Sequence, residues 1–323
     1  MKRREFMTLL GGAAAAWPVA GRAQTLVIGI IHSQTQASEA ARISAIHRGL
    51  QEAGFAVGRN VSLEHRFADG RNERLPALAD ELVQRKVNVI FANTTPPAYA
   101  AKAASSTIPV VFITGVDPVE VGLVASMNRP GANVTGVTFL SNKLVAKRLE
   151  LLSAVTPAGA PIGMLAAQRN PNTETDVGDA LAAAQTLKRT LHVEKVPADG
   201  GVEAGFGALL ERRIGALFVA PQADFRMWVQ QLVLLAARHA LPTSFSSSDY
   251  VTAGGLMSYG PDQMDSYREA GVYAGRVLKG EKPAELPVLV ATKYDFTINL
   301  KTAKALDITV PPWMLALATG VIE

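Results

Sequence analysis

The sequence predicts an α/β fold of two similar lobes, each a parallel sheet flanked by helices, joined by several hinge crossovers. From about residue 25 onward, short apolar runs alternate with longer amphipathic segments, which is typical of strand–helix–strand units in a parallel sheet. The alternation forms two successive series with no obvious flexible linker between them. Two lobes also suit the length, because roughly 300 residues follow an N-terminal leader and suffice for two domains of ordinary size.

The first series predicts the N-terminal lobe. The apolar run 26–31 suits a strand that is covered on both faces of its sheet. The following segment 38–54 has Ile43, Ile46 and Leu50 at helical spacing and ends on a glycine, which predicts a helix. The same reasoning predicts strands at 61–67, 87–92 and 110–113 and helices at 73–85 and 97–105.

A second series begins beyond Gly131 and indicates a second, similar lobe. Its strands are expected at 134–139, 162–166, 192–196, 216–220, 243–245, 256–259 and 294–300, and its helices at 144–155, 174–191, 202–213, 225–239 and 264–279. The late elements need not belong to one lobe. We therefore assign 24–139 to the N-terminal lobe, with about 261–282 returning to it, and 140–260 to the C-terminal lobe, with about 283–323 returning to it.

Residues 1–23 are predicted to be a cleaved export signal. Positions 2–4 are basic, 6–20 are mildly apolar and rich in Ala and Gly, and Ala23 ends a small-residue cleavage site. The apolar run is too short and too interrupted by Gly and Pro to span a bilayer. Positions 3–6 also match a twin-arginine motif, so the twin-arginine and the general secretory routes both stay open.

Charge and cysteine content exclude several classes of protein. The formal net charge is +4, of which residues 1–23 carry +3, so the remaining chain carries +1 and gives no ground for a nucleic-acid partner. The chain has no cysteine, which excludes disulfides, a thiol nucleophile, a thiolate metal site and a lipidated N-terminal cysteine. No second run of about twenty apolar residues occurs, so the mature chain is not expected to be embedded in a membrane.

Small polar residues follow the predicted strands at their C-terminal ends. In open α/β sheets ligands bind outside these strand ends, where the N–H groups of helix N-termini point at them. The candidate ligand-binding residues are Ser33, Gln34, Thr94, Thr95, Asp117, Thr138, Asn170, Asn172, Asp224, Phe225, Ser246 and Tyr259. Phe225 and Tyr259 are included as rings that could stack on a planar ligand. Helix capping is the alternative role of such residues, and Asp117 and Asp224 fit it well.

Several colinear stretches carry a family resemblance. They are 71–79, 106–112, 117–119, 122–126, 128–131, 133–137, 147–152, 236–239, 254–260 and 298–306. Over essentially the whole chain beyond the leader, the sequence resembles the ABC-transporter substrate-binding family with the type I periplasmic-binding-protein fold. The resemblance implies a solute-binding role, and members of this family with assigned ligands tend to bind aromatic amino acids.

Two loops depart from the pattern of that family. The family usually has Gly-Thr-Pro after its third strand, where this chain has Thr94-Thr95-Pro96. The loop 221–225 lacks the acidic residue that more often follows its proline directly. Both loops are expected to face the cleft, so the resemblance supports the role more strongly than it identifies the solute.

The predicted function is that of an extracytoplasmic solute-binding protein of an ABC importer, which captures an amino acid or aromatic acid between two closing lobes. An exported sensor that presents its solute to a membrane receptor is the alternative. A sugar-repressor-like regulator is disfavoured because the first strand follows the leader without a helix-turn-helix module. An exported enzyme is disfavoured because the five histidines lack HxxxH or HExxH spacing and neither a Gly-x-Ser-x-Gly nor a P-loop motif occurs.

The expected partners are a small-molecule solute and the membrane permease of an ABC transporter. Neither nucleic acid, nor a cofactor, nor a metal ion is expected. The mature protein is expected to be a periplasmic monomer that is not a lipoprotein.

Overall fold

The computed structural model describes residues 25–197 and 200–323, so the predicted export signal lies outside the described residues. The strands are β1 (Leu26–His32), β2 (Val61–Phe67), β3 (Val89–Asn93), β4 (Val110–Thr114), β5 (Val134–Thr138), β6 (Ile162–Ala167), β7 (Leu191–Val196), β8 (Ala216–Val219), β9 (Thr243–Phe245), β10 (Met257–Pro261), β11 (Leu289–Val290), β12 (Tyr294–Asn299) and β13 (Gly320–Ile322). The helices are α1 (Gln36–Glu52), α2 (Leu75–Gln84), α3 (Thr95–Ala104), α4 (Val145–Ala154), α5 (Thr173–Thr186), α6 (Val202–Glu211), α7 (Val229–Arg238), α8 (Ser248–Thr252), α9 (Gln263–Leu278), α10 (Leu300–Ala305) and α11 (Pro312–Leu317).

Two sheets, each flanked by helices, form two lobes. The first sheet has the order β11-β5-β4-β3-β1-β2, and its neighbouring strands run parallel. The second sheet has the order β13-β12-β10-β9-β8-β6-β7, in which β10 and β12 pair antiparallel. The predicted fold class of two α/β lobes with mainly parallel sheets is confirmed. We call the lobe around the first sheet the first lobe and the other the second lobe.

The strand order reverses at one point in each sheet. In the first lobe β1 lies between β2 and β3, and in the second lobe β6 lies between β7 and β8. A crevice opens outside the strand ends at such a switch point, because the following helices leave toward opposite faces of the sheet. The topology therefore favours the turns after β1, β3, β6 and β8 over the other polar turns of the sequence.

The chain crosses between the lobes after β5, after β10 and after β11. Helix α9 returns to the first lobe, where Tyr267, Ala270 and Ala274 join its core. The expectation that 283–323 lies wholly in the second lobe is wrong for 283–291, because β11 pairs with β5 of the first sheet. A strand of two residues is too short to produce a hydrophobic period that sequence reading could detect.

Helices α1 and α9 pack with their backbones in close approach. A Cβ atom on Gly49 would collide with the carbonyl oxygen of Arg268, and one on Gly271 would collide with that of Ile46. Only glycine allows this approach, since any side chain at either position would push the helices apart. The contact fixes the returning helix α9 on the first lobe and places its N-terminal turn at the cleft.

The elements that the periodicity did not predict are short. Besides β11 they are β13, α8, α10 and α11, none of which exceeds six residues. The predicted helix 225–239 begins differently in the structure, as a 3-10 segment at Ala223–Trp228 that continues into α7. From this 3-10 segment Arg226 reaches Glu39 of the first lobe, while Phe225 packs in the core of the second lobe.

Candidate ligand-binding site between the lobes

A small cavity lies between the lobes at the C-terminal ends of the strands. It is lined by Thr94, Thr95, Pro96, Ile113, Thr114, Gly115, Phe139, Ser141, Asn170, Asn172, Pro221, Ala223, Arg226 and Gln263. Its volume is about 30 Å³, which is room for about two water molecules. The lobes are therefore closed on each other, and they must separate to admit a molecule of amino-acid size.

Hydroxyl groups dominate the first-lobe wall of this cavity. The hydroxyls of Ser33 and Thr94 are hydrogen-bonded at 2.8 Å, and those of Thr95 and Thr114 at 2.6 Å. All four residues are buried. They surround the N-terminus of α3, where Thr95 carries an N–H group but Pro96 and Pro97 have none, and where the positive end of the helix dipole favours a negatively charged group.

The backbone of Thr94 is strained. Its φ is 108°, a region that a β-branched residue adopts at a cost of about 1–3 kcal/mol. The Thr94 N–H donates to the Ile113 carbonyl at 3.1 Å, and the side chain is held by Ser33. These contacts maintain at a threonine the turn geometry for which glycine is best suited.

Amides and a carboxyl group form the second-lobe wall. The Asn170 amide donates to Asp224 Oδ2 at 2.6 Å, and the Asn172 N–H donates to Asn170 Oδ1 at 2.9 Å. Across the cleft, the Asn172 amide donates to Thr95 Oγ1 at 3.4 Å, while Asn172 Oδ1 has no partner among the described residues. Burial raises the pKa of Asp224, an effect that the Asn170 hydrogen bond only partly offsets. A cationic ligand group would satisfy both of these acceptors.

An ion pair between buried side chains joins the lobes beside the cavity. Arg226 Nη1 of the second lobe donates to Glu39 Oε1 at 3.0 Å and to the Tyr267 hydroxyl at 3.2 Å in the first lobe. The exposed fraction of the side chain is 9% for Arg226 and 1% for Glu39. Burial alone would raise the pKa of Glu39, but Arg226 and Arg42 lower it below the ordinary value, so the pair stays charged.

A second ion pair across the cleft lies near the first. Arg42 on α1 donates from Nη2 to Asp249 Oδ2 of the second lobe at 2.8 Å and to Gln263 Oε1 at 2.9 Å. Burial opposes the charge on Asp249, yet Arg42 holds the pKa of that carboxyl below its ordinary value. The two pairs together favour the closed arrangement, because neither arginine keeps its carboxylate partner once the lobes separate.

Neutral polar groups support Glu39 from within the first lobe. The Asn93 amide lies 2.9 Å from Glu39 Oε2 and 2.8 Å from His32 Nδ1, and Asn93 Oδ1 accepts from the Tyr267 hydroxyl at 2.7 Å. His32 also lies against His65, with 3.0 Å between their ring nitrogens. Burial lowers the pKa of His32 to about 3, so this network is neutral around Glu39 near pH 7.

Most of the sequence-predicted residues near the switch points meet at this cavity. Thr94, Thr95, Asn170 and Asn172 line it. Ser33 and Asp224 are hydrogen-bonded to lining residues. Gln34 is fully buried in the adjoining turn, and neither of its amide atoms has a partner among the described residues.

Five other predicted residues lie outside the cavity lining. Asp117 and Thr138 hydrogen-bond to backbone groups of neighbouring loop residues. Phe225 is in the core of the second lobe, Tyr259 packs against that core, and Ser246 is half-buried. Four of these residues belong to or follow β4, β5, β9 and β10, which lie away from the points where the strand order reverses. The side chain of the fifth, Phe225, points into the second lobe.

Sequence reasoning missed the charged residues that connect the lobes. Arg226 falls in the predicted helix 225–239 and Glu39 in the predicted helix 38–54, where a charged residue is normally assigned to the solvent face. A usable signal existed, since both residues lie in the first turn after a polar strand-end turn. Side chains at that position lie near the carboxyl edge of the sheet, where the ligand crevice opens.

The described residues contain neither a cluster of metal-ligating side chains nor a helix suited to a bilayer. Within 25–197 and 200–323, no group of three or more His, Asp or Glu side chains is arranged to hold a metal ion. In the same described part of the chain, no helix combines the length and the apolar character needed to cross a membrane.

Known proteins that are similar to this chain in sequence or structure include proteins described with amino-acid ligands. A "Tyrosine-binding protein" of Clostridioides difficile (strain R20291) is 28% identical over 261 residues, which cover 80% of this chain and 74% of that protein. A crystal structure of an ABC domain from Streptococcus pneumoniae in complex with L-Trp has a TM-score of 0.83 and 27% identity, covering 92% of this chain and all of that one. A conserved domain protein of Vibrio cholerae has a TM-score of 0.86 and 25% identity with the same coverage.

The family comparison covers nearly all the described residues. The family model described as "ABC transporter substrate binding protein" matches residues 27–322. The two-lobed structure agrees with it, as do the structural neighbours, which have the type I periplasmic-binding-protein fold. The chain therefore belongs to the ABC transporter substrate-binding protein family.

Proposed function

We propose that this protein is the extracytoplasmic solute-binding protein of an ABC importer and that its solute is an α-amino acid or a related aromatic acid. The observation that carries the proposal is the cavity at the joined switch points of the two lobes. There, hydroxyl groups of the first lobe face a buried carboxyl group of the second lobe and an amide oxygen that has no partner within 25–197 and 200–323. An amino acid supplies the complementary pair, a carboxylate and an ammonium group.

The ligand carboxylate is assigned to the first-lobe wall and Arg226. Thr95 begins the ten-residue helix α3, so its N–H and hydroxyl groups add to the positive end of the helix dipole. Arg226 lines the same cavity, and its bonds to Glu39 and to the Tyr267 hydroxyl of the first lobe both come from Nη1. Hydrogen bonds from ionised donors to a carboxylate are about twice as strong as neutral ones.

The ligand ammonium group is assigned to the second-lobe wall. Asp224 is buried with a raised pKa and lacks a cation at hydrogen-bonding distance among the described residues. A bound ammonium group would lower that pKa and supply the missing charge. Asn172 Oδ1 would accept a second N–H bond from the same group.

A wider groove provides space for the ligand side chain. It has a volume of about 460 Å³ and is lined by Gly70, Arg71, Asn72 and Glu73 of the first lobe and Gln168, Arg169 and Pro197 of the second. The Gly70 N–H donates to the Ser33 carbonyl at 2.8 Å, so the groove adjoins the turn that carries Gln34. Relatives described as binding tyrosine and L-Trp support an aromatic side chain here.

Calorimetric titration of residues 24–323 with L-Trp and L-Tyr tests the proposal. Binding is expected to need both charged ends, so tryptamine, which lacks the carboxylate, and indole-3-propionate, which lacks the ammonium group, should each bind at least about tenfold more weakly than L-Trp, because each loses a charge-assisted contact. Thr95→Val and Asp224→Asn should each weaken binding by about tenfold or more. Thr135→Val is the matched control, since it removes a buried hydroxyl bond to the Leu286 carbonyl far from the cavity.

Two results would overturn the assignment. Equal affinity for L-Trp and tryptamine would show that the protein does not bind the ligand carboxylate at the first-lobe wall. Unchanged affinity in both Thr95→Val and Asp224→Asn would place the ligand elsewhere. If no amino acid binds, a thermal-shift screen of aromatic acids, sugars and purines identifies the solute class, because a ligand at 100 times its Kd adds about 2.7 kcal/mol of stability.

The closed form of the protein is expected to deliver the solute to the membrane permease. We expect the mature protein to be a periplasmic monomer whose closed form docks on the permease after residues 1–23 have been removed. Mass spectrometry of the periplasmic fraction should find a chain that begins at Gln24. Recovery of an intact leader would contradict this route.

A further inference from the structure

Arg148 is a fully buried arginine that the ligand site does not use directly. It projects from α4 and is 1% exposed. Its Nη2 donates to the carbonyls of Val219 at 2.6 Å and Ser244 at 3.0 Å, and its Nε donates to that of Phe245 at 3.1 Å. The guanidinium also lies over the Phe218 ring, 4.3 Å from its centroid.

These carbonyls lie at the C-terminal ends of two strands. Val219 is the last residue of β8, and Ser244 and Phe245 are the last two of β9. Carbonyl groups at a strand end lose the ladder partners that the strand interior provides, and when buried they need another donor. Arg148 supplies that donor to both strands at once, so a single side chain sets where the two following turns begin.

A second buried group continues the connection to β6. The Gln222 amide donates to Asp176 Oδ2 at 3.0 Å and to Thr173 Oγ1 at 3.1 Å, and Gln222 Oε1 accepts from the Ala167 N–H at 2.6 Å. Ala167 is the last residue of β6, and Gln222 lies in the turn after β8. Gln222 therefore joins the turns that carry the second-lobe wall of the cavity.

Charge balance connects the two groups. Burial lowers the pKa of Arg148 to about 9, and Asp176 opposes this effect. Burial raises the pKa of Asp176 to about 7, with Gln222 and Arg148 opposing it. A buried arginine costs several kcal/mol in lost hydration. Hydrogen bonds to three carbonyls, the aromatic face and a buried carboxyl group offset that cost here.

We propose that Arg148, Asp176 and Gln222 form a positioning unit that holds the turns after β6, β8 and β9 in the geometry required for solute binding. None of the three lines the cavity, so each acts through the residues that those turns carry, Asn170, Asn172 and Arg226 among them. The proposal rests on the proposed function for its consequence, but the positioning itself is measurable without any ligand.

Hydrogen–deuterium exchange of residues 24–323 tests the unit in the absence of solute. In Arg148→Met, amide exchange in 220–226 and 244–249 should accelerate by about tenfold or more, because these turns lose their anchor. The first-lobe turns at 94–97 and 114–117 should keep the wild-type rate.

Arg189→Met is the matched control. Arg189 also donates to three backbone carbonyls of the second lobe, those of Ser153, Thr156 and Pro157, at 2.8 to 3.1 Å. These carbonyls lie before β6, at the opposite end of the sheet from the cavity. The control should accelerate exchange near 153–160 and leave 220–226 and 244–249 unchanged.

Gln222→Met keeps the test decisive even if Arg148→Met does not fold. It should accelerate exchange in 168–172 and 220–226 but not in 246–249, because Gln222 is not bonded to β9. Uniform acceleration of exchange over the second lobe in either variant would show that these side chains stabilise the whole lobe and do not position the named turns, which would overturn the proposal. Identical patterns in Arg148→Met and Arg189→Met, or no acceleration in the named turns, would overturn it as well. Failure of amino-acid binding would leave these exchange outcomes unaffected.

Discussion

The two lobes share a strand order at the cleft but differ in what their turns present. The first lobe presents hydroxyl groups that bond one another, as Thr95 does with Thr114. The second lobe presents amides and a carboxyl group, with Asn170 bonded to Asp224. The shared topology brings both sets of turns to one cavity. The side chains of the two walls therefore differ in chemistry, with hydroxyl groups on one and amides with a carboxyl group on the other.

The buried charged residues of the two lobes also differ, in which lobe their partners belong to. In the first lobe Glu39 and Arg42 lie at the interface and reach partners in the second lobe. In the second lobe Arg148 and Asp176 lie beneath its own turns and hydrogen-bond to groups of the same lobe. The first set therefore governs how the lobes are placed relative to each other, and the second set governs the shape of one wall.

The largest expected effect comes from breaking the ion pair across the cleft. Arg226→Met leaves Glu39 buried without its cross-lobe partner, which should destabilise the closed arrangement by about 3–5 kcal/mol. Small-angle X-ray scattering of the solute-free protein should then give a larger radius of gyration than the wild type.

The matched control is an exposed pair within the second lobe. Lys195 Nζ lies 2.6 Å from Glu174 Oε1, and the exposed fraction of the side chain is 38% for Lys195 and 79% for Glu174. Lys195→Met should change stability by about 1 kcal/mol or less and leave the radius unchanged. An unchanged radius in Arg226→Met would mean that the buried pair does not hold the lobes closed.

A smaller effect is expected from the helix contact that anchors α9. Gly49→Ala places a methyl group against the Arg268 carbonyl, and overpacking of this kind should cost about 3 kcal/mol. Urea unfolding measures the loss. Gly178→Ala in the second-lobe helix α5 is the control, since its added methyl meets no atom within 4 Å, and it should gain about 0.5–1 kcal/mol. Equal stability of the two variants would show that the close α1–α9 contact does not stabilise the first lobe.

The smallest effect concerns acid sensitivity of the first lobe. His32 is neutral in the fold down to about pH 3 but charged in the unfolded chain below about pH 6.5. The unfolded state then binds more protons, so stability is full above pH 6.5 and is lost as pH falls through this window.

Between pH 7 and pH 5 this one group should cost about 2 kcal/mol of unfolding free energy. His32→Gln should remove that share of the pH dependence in urea unfolding measured at both pH values. Parallel profiles for the wild type and His32→Gln would show that His32 does not stay neutral in the fold.

Much of the fold could be predicted from local patterns. The apolar run at 26–31 and the helical spacing through Ile46 and Leu50 match β1 and α1 closely, because strands and helices of this length repeat their hydrophobic period often enough to be recognised. The same patterns could not detect β11, which has two residues. The assignment of 283–291 failed for that reason.

The site was predictable only as a set of strand-end turns. The sequence by itself determined two α/β series, polar turns at their strand ends and the resemblance to a solute-binding family, because these depend on residues close together in the chain. Only the tertiary structure decided that Thr95 and Asn172 meet, that Arg226 reaches Glu39, and that Asp117 bonds to its own loop. The pairings across the cleft join residues as far as 207 positions apart, as in Arg42 with Asp249, and they follow from strand order and lobe closure rather than from any local pattern.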